Sequence, residues 1–337
     1  MKCHLFLLLF LSYTVHAQVA GIVSDAQTGK PLAYATVSTS QQTVLTDSNG
    51  KFLCDAGTDT ISVSLIGYTK RNLPLPTGKY IRVSLNRTSV DQSFTGTSIV
   101  DSLLRYKARN ELAEFDMVRF KSYDRKIITA HPDSVDGRID TIYRKLRRGE
   151  KFKIDSSDYK FKKIVEKQHL FQIEKTSEVV YANGELYENV IATKMAGFRN
   201  PVYELYAFNM MSFSLYREPL VIFGTKYANP LAQDGRQSYH FRLLDTLKTN
   251  GRDTYIVHFS PKKPNSQSAV EGVYFIDVGN FGVAKAIISV RGMIDITAEH
   301  TSMYFSNHNK YLPTKISVKI VKGDNDEEIK ILGETLS

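Results

Sequence analysis

Apolar residues recur at every second position along much of this chain, and that period marks half-buried strands. From Ser238 onward Tyr239, Phe241 and Leu243 share one phase, as do Tyr255, Val257 and Phe259. Ile294, Ile296 and Ala298 alternate with Asp295, Thr297 and Glu299; Ile316, Val318 and Ile320 alternate with Lys315, Ser317 and Lys319. Residues 273–276 and 283–290 read as further, more continuously apolar strands. One oily face and one wet face predict an antiparallel meander.

Residues 18–87 show shorter strands (19–23, 33–37, 60–65, 80–85) between turn signals at 25–31 and 46–50. Gly29 is free to take positive φ, and Pro31 fixes the start of the next strand. Such spacing predicts a β-sandwich. A helical period follows: Ser98 is placed to cap a stretch carrying Ile99, Leu103, Tyr106 and Leu112 on one face. Strand text resumes over 117–123 and 168–180. Residues 130–163 are charged and poorly periodic, an expected excursion from the sheet, and the spacing of Val202, Leu205, Tyr206 and Asn209 predicts a short helix over 201–211. The expected fold is mainly β: a signal segment (1–17), a sandwich (18–88), a linker and helix (89–116), and a larger curved antiparallel sheet module with minor helix (117–337).

Lys2, the apolar run 5–11 and the small residues around Val15-His16-Ala17 make the first segment an export signal with mature start at Gln18. Its apolar core is too short to span a bilayer. Cleavage leaves Cys54 as the one cysteine, with no internal disulfide, reading as a small buried hydrophobe on a strand with Phe52. The chain has 19 Tyr, 18 Phe and no Trp, which favours strands. The formal net charge is +9. Part of the excess is Arg144, Lys145, Arg147, Arg148, Lys151 and Lys153, which reads as a solvated basic loop or as a basic surface able to meet anionic headgroups or an acidic partner. Export argues against nucleic acid.

The string Gly21-x-Val23-x-Asp25-x-x-Thr28-Gly29-x-Pro31-Leu32-x-x-Ala35-x-Val37, then Thr46-Asp47-x-x-Gly50-x-Phe52 and Ile61-x-Val63-Ser64-x-Ile66-Gly67-Tyr68, resembles the carboxypeptidase-regulatory-like domain. That resemblance implies a seven-stranded prealbumin-like sandwich of the kind that precedes outer-membrane receptors in Bacteroidota-type envelopes. Further along, Glu174-x-x-Ser177-Glu178, Lys194-Met195-x-Gly197-Phe198-x-Asn200-Pro201, Phe213-Ser214-x-Tyr216, Tyr227-x-Asn229-Pro230-Leu231, Tyr239-x-Phe241, Asp245-Thr246, Phe259-x-Pro261-Lys262, 272–277 and 311–313 form a second set. It resembles the periplasmic part of a Bacteroidota outer-membrane family of unknown function. Members of that family usually continue into a large outer-membrane barrel, and this sequence stops at Ser337 before one could fit, so it is expected as either a truncated member or a soluble periplasmic protein. The strands from Tyr239 to Val321 are also similar, more distantly, to the half-barrel of periplasmic lipoprotein carriers.

Catalytic chemistry finds no motif. Zinc hydrolysis needs His-x-x-Glu or a related short spacing, and none of His131, His169, His240, His258, His300 and His308 has Glu three residues on. His258 and His300 are expected as sheet-face or core histidines with ordinary partners. There is no Gly-x-Ser-x-Gly elbow, phosphate loop or Gly-x-Gly-x-x-Gly. The acidic run 324–328 reads as a hairpin turn rather than a calcium loop. Glu174 and Glu178 share one side of a strand as a solvated or salt-bridged face. Asp-Ser/Thr steps at Thr60, Ser102, Ser134, Thr141 and Thr246 resemble a Bacteroidota O-glycosylation pattern.

The expectation is therefore a non-enzymatic protein without cofactor or metal, exported to the periplasm or the periplasmic face of the outer membrane. Its partner would be that membrane or one of its proteins. The alternative is a lipid or lipoprotein carrier whose apolar cavity is lined by Phe208, Met210, Met211, Phe213, Phe241, Phe259 and Phe275. A packed core is the competing reading of the same residues.

Overall fold

The computed structural model describes residues 18–40, 42–55, 60–74, 80–88, 96–111, 117–130, 171–182, 185–197, 215–222, 225–249, 251–263, 269–290, 294–322 and 329–336. The chain forms two units, residues 1–92 and 93–337.

Among its described residues the first unit has seven strands in two sheets. Strands β1 (Gln18–Asp25), β4 (Lys51–Asp55) and β7 (Tyr80–Leu85) form a sheet in the order β4-β1-β7. Strands β2 (Thr36–Ser38), β3 (Thr43–Leu45), β5 (Thr60–Ser64) and β6 (Arg71–Pro74) form the other in the order β3-β2-β5-β6. Alternate residues Val19, Val23, Phe52, Cys54, Ile61, Val63, Val83 and Leu85 are buried, as their period requires. Burial also pushes the Cys54 thiol up, which fits an inert packing residue. The turn after β1 is held by Asp25, whose Oδ1 accepts the N–H groups of Gln27 (2.8 Å) and Thr28 (3.0 Å). Its Oδ2 accepts Tyr68 Oη (3.0 Å) and Arg87 Nε (2.6 Å). Gly29 takes φ +68°, the left-handed conformation that closes this turn.

In the second unit, α1 (Gly96–Asn110) lies against a ten-stranded sheet. That sheet comprises β8 (Met117–Ala130), β9 (Phe171–Ala182), β10 (Glu185–Gly197), β13 (Tyr239–Thr249), β14 (Arg252–Pro261), β15 (Glu271–Asp277), β16 (Val283–Val290), β17 (Ile294–Phe305), β18 (Lys310–Lys322) and β19 (Ile329–Leu336). The order is β10-β9-β8-β19-β18-β17-β16-β15-β14-β13, antiparallel throughout. A small ribbon, β11 (Leu220–Ile222) with β12 (Thr225–Tyr227), and a single turn α2 (Gly235–Ser238) lead into β13. The helix expected within a linker belongs to this unit: Ile99, Val100 and Leu103 join the sheet's core. Gly96 allows the contact, because a Cβ there would stand 2.7 Å from the Arg242 backbone nitrogen.

Bulges on β10 (Ile191), β13 (Leu244), β16 (Ala284) and β18 (Thr314) each leave one residue unpaired and shift the register locally. On β13 Leu243 keeps the phase of Tyr239 and Phe241 against the core, and Leu244, the extra residue, is buried outside that cluster. No helix among the described residues is long and apolar enough to cross a membrane. The predicted excursion, the short helix over 201–211, the acidic run and the signal segment lie outside the described residues.

Candidate functional site

The helix-facing side of the large sheet is one surface with two chemistries. Under α1 it is closed and apolar. Phe259 stacks on Tyr274 with ring centroids 4.4 Å apart, and Tyr239 meets the Phe259 edge at 6.1 Å. The Tyr239 hydroxyl donates to the Ala228 carbonyl (2.7 Å) and accepts the Val270 N–H (3.2 Å), so its polar end is satisfied inside the core.

Of the residues expected to line a cavity, Phe241 and Phe259 are in this packed core. Phe275 is buried on the opposite face, because it stands opposite Ile256 on β14, whereas its neighbour Tyr274 stands opposite Val257. The three described members thus do not line one surface. Phe208, Met210, Met211 and Phe213 lie outside the described residues, as do Arg144, Lys145, Arg147, Arg148, Lys151 and Lys153.

The register carries this side outward without interruption. Ala286, His300, Ile316, Thr335, Asp124, Lys175 and Thr193 stand opposite one another across seven strands. At its β8–β10 end the surface becomes ionic. Lys175 Nζ bridges Asp124 Oδ2 (3.1 Å) and Glu188 Oε1, and Ser177 Oγ donates to the same Glu188 oxygen (2.6 Å). Lys126 shares this face, only 3% exposed. Ile173 and Val179 flank the cluster and are buried with it.

Burying Asp124, Lys126 and Lys175, with Glu188 half-exposed beside them, is costly unless the groups compensate one another. Burial disfavours the Lys175 cation, but Glu188 and Asp124 outweigh it and raise the ammonium above its ordinary value. Burial likewise opposes ionisation of Glu188, but Lys175 and Ser177 hold its carboxyl below the usual range. Lys126 is pushed down to about 8, because burial outweighs the attraction of Asp124 and Glu188. A perturbed, mutually coupled set of this kind marks a candidate site. Among the described residues no group of three metal-ligating side chains converges.

The sequence reading singled out Glu174, Ser177 and Glu178 here. Glu174 and Glu178 do share the outer face, while Ser177 is fully buried on the inner one. It missed Asp124, Lys126, Lys175 and Glu188. The signal was strand phase: Lys175 has the parity of Ile173 and Val179, and Lys126 that of Val118 and Phe120. His258 has an ordinary partner, Glu271 Oε1 at 3.3 Å, and His300 is buried in phase with Ile296 and Ala298. Ser102, one of the glycosylation-pattern residues, is buried in α1, where its hydroxyl donates to the Ser98 carbonyl (3.1 Å).

Solved structures give only remote likenesses. A LolA superfamily protein from Nitrosomonas europaea is 11% identical, over 72% of this chain and 94% of that one, with a TM-score of 0.27. A DUF1329 family protein from Desulfovibrio piger is 11% identical over 72% and 92%, with a TM-score of 0.25. MucB in complex with MucA(peri) is 7% identical over 71% and 93%, with a TM-score of 0.20. Among curated proteins none matches. The family models speak more directly. Residues 18–94 match the carboxypeptidase regulatory-like domain. Residues 139–330, more than half of the chain, match a family of unknown function, DUF5686, and the chain belongs to that family.

Proposed function

We propose that the chain is a non-catalytic binding and accessory module of the cell envelope, exported and associated with the periplasmic face of the outer membrane. Its partner, an outer-membrane protein or an anionic envelope component, is received at the ionic end of the helix-facing sheet surface. The observation that carries this reading is the Asp124–Lys175–Glu188 set, in which buried Asp124 and Lys175 meet a half-exposed Glu188, with buried Lys126 beside it. Apolar packing would stabilise those strands at least as well, so retaining the charges favours recognition over support. The non-catalytic part rests on the absence of any nucleophile, metal or phosphate motif in the sequence.

A lipid or lipoprotein carrier is the second reading. In its favour, the helix-facing side runs unbroken from the core to the charged end. Against it, Phe241 and Phe259 pack in a filled core.

A photo-crosslinking residue at Val190, which lies half-exposed on β10 beside this cluster, tests the proposal. The expected result is a discrete adduct in the envelope fraction that disappears in Lys126→Met. That substitution leaves the Lys175 bridges to Asp124 and Glu188 intact. No adduct, or the same adduct in the variant, sinks binding at this place. An acyl lipid retained in native mass spectrometry shifts the choice to the carrier.

A further inference from the structure

The outer face of the three-stranded sheet in the first unit is chemically graded, row by row. Ala20 stands opposite both Leu53 and Tyr80, so these three side chains form one row across β4, β1 and β7. Leu53 is 58% exposed and Tyr80 53%, with a small residue between them. The next row is Lys51, Ile22 and Arg82. Beyond it, Ser24 and Ser84 share a hydroxyl pair at 3.4 Å, and Arg71 reaches the Ser84 carbonyl at 3.1 Å. On the other side of the apolar row, Gln18 donates to Asp55 at 3.4 Å. Two cations, Lys51 and Arg82, thus stand at one end of the face, with Arg71 of the other sheet beside them at the β7 edge, and its carboxylate lies at the other end.

Isolated exposed apolar residues are ordinary. This row differs because its members are register partners and the cations are fixed about 7 Å away, two residues along each strand. We propose that this face docks on an anionic lipid surface, with Leu53 and Tyr80 at the headgroup–acyl boundary and Lys51, Arg82 and Arg71 against lipid phosphates. Leucine and tyrosine beside lysine and arginine match that boundary, where one end of each side chain is apolar and the other wet. Size excludes a protein partner as the principal occupant. Three strands about 4.8 Å apart and some five residues long present roughly 250 Å², against about 800 Å² per partner in a standard interface. The proposal concerns the first unit alone and stands independently of the ionic cluster in the second.

The chain has no tryptophan, so Leu53→Trp introduces a single reporter. In the full chain its emission is expected to shift to the blue on vesicles of phosphatidylglycerol and phosphatidylcholine in equal parts, and not on phosphatidylcholine alone. Adding Lys51→Gln and Arg82→Gln is expected to weaken partitioning about thirtyfold, from about 1 kcal/mol per cation. Both positions are on the outer face, so the melting curve should not change. Leu53→Ser with Tyr80→Ser in the otherwise native chain should abolish flotation with the anionic vesicles. An unshifted tryptophan, equal binding to both vesicle types, or undiminished binding of the charge variant each overturns the proposal.

Discussion

In the sandwich Asp25 ends β1, and in the large sheet Asp277 ends β15, and the two carboxylates are held by the same kinds of group. Asp277 Oδ1 accepts the N–H groups of Gly279 (2.8 Å) and Asn280 (3.0 Å), while Oδ2 accepts Tyr311 Oη (2.9 Å) and Arg252 Nε. Asp25 has Gln27, Thr28, Tyr68 and Arg87 in the corresponding places. Two unrelated folds have met one requirement, a strand end that turns sharply beneath buried side chains, with one solution. The cations differ. The Arg87 side chain is 55% exposed, whereas that of Arg252 is 31% exposed, donates twice to Asp277 and lies over the Tyr304 ring at 3.8 Å. For Asp25, Arg87 is the largest influence, with burial opposing, and the carboxyl lies well below the usual range. For Asp277 burial is the largest influence, and Arg252, the Asn280 N–H and Tyr311 together overcome it. Both carboxylates are buried, so the difference lies in the cation: in the sandwich it is one that water also reaches, and in the sheet it is largely withdrawn with its partner.

The sharpest way to break this comparison is to remove the arginine from the drier site. Arg252→Met leaves Asp277 buried with an uncompensated charge, and a broken buried pair costs about 3 kcal/mol. The neighbouring network should loosen with it, since Asn280 Nδ2 donates to the Asn309 carbonyl (3.0 Å) and its carbonyl accepts Asn110 Nδ2 at the end of α1 (3.3 Å). Denaturant titration of the second unit should show the loss as a lower midpoint with unchanged slope. A cost no larger than that of the sandwich counterpart would show that exposure does not separate the two sites.

Strand phase made most of this architecture legible before any coordinates. The alternation of Ile61, Val63 and Leu65, or of Ile316 and Val318, fixes which side meets a core, and residues 283–290 emerge as one strand, as read. The helix bearing Ile99 and Leu103 is also in place. What escaped was polar chemistry at inward positions. A lysine at an even step of a strand reads as solvated unless its parity is compared with that of its apolar neighbours, and the partners of Lys175 come from β8 and β10, thirteen residues on in one case and on a different strand far upstream in the other. Cross-strand register decides such sets, and register is written in pairing rather than in local spacing. Bulges add to the difficulty: the shift between Phe275 and Ile276 breaks the pairing phase of a run that looks uniformly apolar.

A second test separates buried histidine from the two aspartates. His300 is 3% exposed, and burial holds its imidazole down to about 3, against an ordinary value of 6.5. The unfolded chain binds a proton between those values that the folded chain does not. Stability from this source is whole above pH 6.5 and is lost as pH falls towards 3, amounting to about 2 kcal/mol between pH 7 and pH 5. The aspartates are depressed from an ordinary 3.8, so their contribution is whole above that value and is lost only below it. His300→Leu should flatten the stability profile between pH 7 and pH 5 and leave the steeper fall below pH 4. A slope unchanged by the substitution would assign that window to other groups.

The smallest effect is expected at the wetter site. Arg87→Met removes the largest influence on Asp25 but leaves Tyr68 and two backbone N–H groups in place, and water can take part of the vacated position. The melting temperature of the first unit should fall by less than that of the second unit does in Arg252→Met. The clearer reading is in acid. Asp25 should titrate nearer its ordinary 3.8, so the pH at which the sandwich loses stability should move upward. Added salt should narrow the gap between wild type and Arg87→Met, because it screens an exposed pair, while leaving the Arg252 difference nearly intact. If both differences shrink alike as salt is raised, the two arginines are equally screened by solvent and the contrast between the sandwich and the sheet collapses.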